Sequence, residues 1–171
     1  AVVVPETQEP AKDSPLGEDG AEDDAFAAAV AAIMEDIKED PAAYAKIYPL
    51  IIERLERLDQ IPAKIAYLFW GANVQLDEKS VKKVLQKEGA RAEEALRACR
   101  DVLAREDLPW EAEPLQEACR ALCEPLSMKP KLLFQPLRVA VAGNMVSPPL
   151  FESIELMDPE DVLARIDGTL A

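Results

Sequence analysis

From Ala25 onward, apolar residues recur at intervals of three and four, the period of a helix that buries one face. Phe26, Val30, Ile33 and Ile37 keep this spacing around the alanine-rich stretch 27–34. Asp40-Pro41 pairs a side-chain acceptor with a proline suited to a first helical turn, and predicts a helix start. The stripe Tyr44, Ile47, Ile51, Leu55 and Leu58 follows, with Pro49 inside it as an expected kink or break. Residues 62–70 form a short apolar segment closed by Gly71. Asp77 is positioned to cap a helix through Val81, Val84 and Leu85 to Gly89. Residues 90–103 predict an amphipathic helix with Ala95, Leu96, Cys99, Val102 and Leu103 inward.

Further on, Pro114 is expected to open a helix through Leu115, Ala118, Leu122 and Leu126. Residues 131–142 read as a helix ended by Gly143-Asn144, a pair suited to the left-handed cap position. Val139-Ala140-Val141 favours a strand by propensity, but its neighbours favour helix. Ser147-Pro148 and Asp158-Pro159 predict two more helix starts. The expected fold is therefore all-α, as two small helical bundles in tandem. Residues 1–24 form a flexible lead-in, 25–108 a first lobe and 109–171 a second.

Charge divides this picture by position. The chain has 171 residues and a net charge of −14, which argues against a nucleic-acid partner when taken whole. Residues 1–24, however, hold eight acids, one lysine, three prolines and two glycines, too few large apolar groups to offset ordering entropy. The first 40 residues carry a net of about −10, leaving the helical remainder nearly balanced. Histidine is absent, which excludes His-based triads, His general bases and His metal ligands. Three cysteines without framework spacing point to reduced thiols in a cytoplasmic protein. No apolar run reaches the length of a membrane span. The start Ala1-Val2-Val3-Val4 has no initiator Met and no signal-peptide pattern, so a piece of a longer chain is expected.

Candidate chemistry is sparse. No phosphate-binding glycine loop and no GxSxG motif occur. Acids such as Glu53, Glu56, Glu93 and Glu94 alternate with Arg54, Arg57 and Arg97, the pattern of solvated helix faces. Lys79, Lys83 and Lys87 recur every four residues, a ridge that fits either a phosphate backbone or ordinary solvent. Residues 125–151 contain no Asp or Glu, while Lys129, Lys131 and Arg138 make them positive. A polyanion approaching this surface would require that, and so would a largely buried segment. Arg138 stands within an apolar run, where a guanidinium must reach an edge or find a partner.

Taken together, Phe134-Gln135-Pro136-Leu137-Arg138-Val139-Ala140-Val141-Ala142-Gly143 and Ser147-Pro148-Pro149-Leu150-Phe151-Glu152 resemble the C-terminal part of bacterial glutamyl-tRNA synthetases. The helix Pro159 to Ile166, Ile51-Ile52-Glu53-Arg54-Leu55, Tyr67-Leu68-Phe69-Trp70 and Trp110 extend the resemblance over roughly residues 45–171. Ala142 stands where that family usually has threonine, and Asn144 where a basic or small residue is common. The resemblance implies an all-helical anticodon-binding cage, with the catalytic motifs, ATP and Mg belonging to a separate half. It implies contacts to the anticodon from Arg138, Ser147 and Leu150, with Gln135 a further candidate. Lys79, Lys83, Lys87, Lys129 and Lys131 are candidate phosphate contacts. The implied partner is tRNA(Glu), with tRNA(Gln) left open, for a cytoplasmic monomer with no membrane or DNA partner, no cofactor and no chemistry of its own. The competing reading is an acidic all-helical protein–protein interaction module.

Overall fold

The structure, a computed structural model, describes residues 45–47, 49–50 and 64–171. The lead-in, the helix expected from Phe26 and the start at Asp40-Pro41 lie outside these residues. Of the Tyr44–Leu58 stripe only fragments are described. Ile47 is helical and buried, Pro49 is helical and exposed, and Ile51, Leu55 and Leu58 lie outside.

Every described element is helical. A 310 turn, Ala66–Phe69, is closed by Gly71 at φ +57°. Helix α1, Glu78–Ser80, continues directly into a π-helical stretch, Val81–Gln86. Asp77 caps α1 as expected, its carboxylate accepting from the Ser80 N–H at 2.8 Å. Apolar spacing predicts the helix here but does not separate π from α geometry, since Val81, Val84 and Leu85 fit either. Gly89, at φ +50°, breaks the helix before α2, Ala90–Leu103.

Helix α2 buries Ala92, Ala95, Leu96, Cys99 and Leu103, leaving Val102 half-buried. Helix α3, Ala112–Arg120, starts earlier than the proline suggested, because Glu111 takes the extended cap conformation and Pro114 falls inside the first turn. It also ends before Leu122, where a 310 turn, Ala121–Cys123, takes over. Helix α4, Pro130–Ala142, holds Val139, Ala140 and Val141 fully buried, so packing settles their conformation as helix. Gly143 closes α4 in the left-handed region at φ +80°. Helix α5, Leu150–Glu155, is followed by α6, Pro159–Leu170, capped by Asp158 through the Glu160 N–H.

Helices α2, α4 and α6 pack against one another, and α3 lies across α5 and beside α2. Each fully buried leucine in this arrangement, such as Leu115, Leu133 and Leu137, contributes about 2 kcal/mol. The larger core takes residues from both sides of the expected division at 108/109, so that division does not separate two cores among the described residues. A smaller cluster gathers Ile47, Ile65 and Ala66 under Leu50, Phe69 and Leu156.

Hydrogen bonds fix the helix ends. Trp110 Nε1 donates to the carbonyls of Ile154 and Met157 at the end of α5, and Glu155 accepts from the Ala112 N–H at the start of α3. Tyr67 donates its hydroxyl proton to Ser153 Oγ at 2.7 Å, tying the first 310 turn to α5. Among the described residues, no helix is long and apolar enough to cross a membrane.

Candidate nucleic-acid interface

Helix α4 and the loop 143–149 carry three of the four expected anticodon contacts, Gln135, Arg138 and Ser147. Arg138 sits in the last turns of α4, half-buried, on the side that faces the loop. Its Nη1 donates to Ser147 O at 3.1 Å, to Ser147 Oγ at 2.5 Å and to Pro148 O at 2.7 Å. The guanidinium thus finds the partners that its place in an apolar run demands, and those partners are the backbone and hydroxyl opening α5. Phe134, one turn earlier, meets Phe151 of α5 edge to face at 5.2 Å. Together the two contacts clasp α4 to the start of α5.

Ser147 does not cap α5. Pro149 occupies the cap position with no side-chain cap bond, while the Ser147 hydroxyl lies against Arg138 and Pro148 O. The expectation of a cap at Ser147-Pro148 fails because the helix begins only at Leu150, which leaves Ser147 two positions before the cap residue. Leu150 is 5 % exposed and belongs to the core, so the apolar wall expected there is turned inward. Gln135 is half-buried on α4, a turn before Arg138.

The loop is pinned from a second side. Asp77 N–H donates to Gly143 O at 2.8 Å, and Met145 N–H donates to Ser80 Oγ at 3.1 Å. Ser80 is itself buried, and its hydroxyl donates to Asp77 Oδ2 at 2.7 Å. That hydroxyl bond, with those from the Ser80 and Lys79 N–H groups, holds the Asp77 carboxyl below its usual range despite its exposure. Gly143 is the hinge of this arrangement, since a Cβ there would stand 2.2 Å from Gln75 O. Asn144 Oδ1 accepts from the Val146 N–H, shaping the loop tip.

The lysines are all exposed but belong to two places. Lys79 lies on α1, Lys83 in the π-helical stretch and Lys87 just after it, and the wider turn between them alters the simple four-residue ridge. Lys129 and Lys131 flank Pro130 at the start of α4, the far end of that helix from Arg138. The structure therefore brings Arg138 and Ser147 into direct contact, and Lys129 and Lys131 stand apart from them.

One residue escaped the sequence reading. Val146 is 86 % exposed at the loop tip. Its signal was present, because an apolar side chain between Asn144 and Ser147-Pro148 has no helix face on which to be buried. Elsewhere, a shallow depression along α2, lined by Arg91, Glu94, Arg97 and Asp101, holds none of the candidate residues. Among the described residues, no cluster of Cys, Asp or Glu is arranged to hold a metal ion.

Comparison with known proteins places the chain in a family. The chain is 38 % identical over 131 residues to a glutamate–tRNA ligase from Cutibacterium acnes, covering 75 % of this chain and 25 % of that protein. It is 36 % identical over 146 residues to a glutamate–tRNA ligase from Leifsonia xyli subsp. xyli, covering 82 % and 29 %. The chain thus spans about a quarter of the length of the curated relatives it matches. A solved glutamate tRNA ligase from Elizabethkingia meningosepticum shares the fold with a TM-score of 0.68 at 20 % identity, over 85 % of this chain and 29 % of that one. A glutamate-tRNA synthetase structure from Elizabethkingia anophelis gives 0.64 at 20 % identity, over 85 % and 28 %. The family model described as an anticodon binding domain matches residues 25–170, and the chain belongs to that family of helical anticodon-binding domains.

Proposed function

We propose that this chain binds the anticodon arm of tRNA(Glu) as the recognition part of a glutamate–tRNA ligase. The observation that carries the proposal is the clasp of Arg138 onto Ser147 and Pro148. It fixes a loop free of carboxylates at the end of a helix, in a chain of the anticodon-binding domain family. Single-stranded loops are read by splayed bases that stack and hydrogen-bond on rigid protein edges. A pinned loop with an arginine at its base offers such an edge, and a guanidinium supplies both donors and a flat stacking surface.

Lys79, Lys83 and Lys87 on one element, and Lys129 and Lys131 on another, attract the phosphates on either side without reading sequence. Activation of glutamate with ATP and Mg belongs to a catalytic half outside this chain, which contributes recognition and no bond-making of its own. The chain acts as a monomer in the cytoplasm, where its three free cysteines remain reduced. An enzyme of relaxed specificity would take tRNA(Gln) at the same surface.

Arg138→Ala tests the site. Filter binding should show tRNA(Glu) held about tenfold more weakly or worse, with the helical circular dichroism unchanged. Equal affinity of the variant and the parent would remove Arg138 from the site.

A further inference from the structure

Two segments of the chain meet beside the clasp. Residues 60–76 and 125–151 are the two longest stretches of the sequence without Asp or Glu, in a chain with 33 acids. The end of the first meets the second at Gly143, which lies against Gln75 O and whose carbonyl accepts from the N–H of the following Asp77. Each stretch carries one of the exposed large apolar side chains among the described residues, Leu76 at 37 % and Val146 at 86 %. Both sit on immobilised backbone. Val146 follows Met145, held by Ser80, and precedes Ser147, held by Arg138, while Leu76 precedes the cap residue Asp77.

We infer that Val146, with Leu76 on the adjoining segment, forms an apolar platform against which one unstacked base of the anticodon loop rests. The inference rests on the tRNA reading above and deepens it by assigning a contact that Leu150, being buried, does not supply from its place in the core. A base presents a flat apolar face that gains from leaving water, and polar phosphates on either side are tolerated only where carboxylates are absent. The acids that follow Leu76 in sequence are already engaged, Asp77 by Ser80 and Glu78 by Lys82 at 3.2 Å. Lys79 remains exposed on the same turn. The surface thus combines exposed hydrophobe, rigid backbone and a charge balance that suits a polyanion.

The test uses the 171-residue chain and anticodon stem-loops of tRNA(Glu), intact or made abasic at each anticodon position in turn, with affinity read by fluorescence anisotropy. Val146→Ser should bind the intact stem-loop about tenfold more weakly. On one of the abasic loops the variant and the parent should bind alike, because the base that Val146 meets is already gone. Leu76→Ser should show a smaller loss on the intact loop. Val146 is on the surface, so an unchanged melting temperature is expected for Val146→Ser. A Val146→Ser chain that binds the intact loop as tightly as the parent overturns the inference, as does an equal loss on every abasic loop. A parent chain that binds no stem-loop at all overturns the tRNA reading as well.

Discussion

The guanidinium of Arg165 lies among apolar side chains at 1 % exposure, yet it has carbonyl partners. Its Nε donates to Gly71 O at 2.6 Å and its Nη1 to Val141 O at 2.7 Å, so it joins α6, the turn after the 310 segment and the end of α4. Burial pulls its pKa below the ordinary value, with the charge of Asp161 opposing the shift. Arg165→Ala leaves two carbonyls unpaired and a cavity, and should lower unfolding free energy by about 3 kcal/mol in urea denaturation. Gly143→Ala meets a different obstacle. Its Cβ would collide with Gln75 O while the backbone holds φ +80°, and more than about 2 kcal/mol should be lost. The left-handed cap at Gly143 is legible from the Gly-Asn pair, but its closeness to Gln75 is not, because that contact joins segments nearly seventy positions apart. Arg138 is legible as a residue needing a partner. That its partner is Ser147 depends on how α4 and α5 cross, which no local pattern contains.

Among elements, helix starts reflect where the capping side chain stands relative to the first turn. Asp77 and Asp158 cap as their spacing predicts, each standing one position before the first helical residue with a carboxylate oxygen accepting from an N–H of the first turn. Ser147 does not, because α5 begins only at Leu150 with Pro149 as its cap residue, and Pro114 misleads because proline is tolerated through the first turn as well as at its opening. The depressed pKa of Asp77 has a pH consequence with a fixed sign. A carboxylate whose folded pKa lies below its unfolded value of about 3.9 contributes stability fully above that value and loses it as pH falls through the folded one. Asp77→Ala should therefore be less stable than the parent at neutral pH, by about 1 kcal/mol as for a lost N-cap. The difference should shrink in melting experiments taken below about pH 4. A gap that stayed constant across that range would mean that the carboxylate's charge plays no part in the cap.

For the whole molecule, the sign of the charge matters less than its placement. The formal −14 is concentrated at the start of the chain, and the two acid-free stretches converge on the pinned loop. The all-helical class is readable from apolar spacing alone. The shared core is not, because helix periodicity states which face is buried but not against which partner. If the exposed lysines serve phosphates, affinity should fall as salt rises. Replacing Lys79, Lys83 and Lys87 together by Ala should flatten that dependence by roughly two units of the log–log slope. Whether this fold reads an anticodon is decided by titrating the chain with the stem-loop of tRNA(Glu) and with the same stem carrying an unrelated anticodon. Binding of both should be salt-sensitive, with the native anticodon preferred by about tenfold or more if the loop is read as proposed. Equal affinity for the two loops at every salt concentration would contradict that reading.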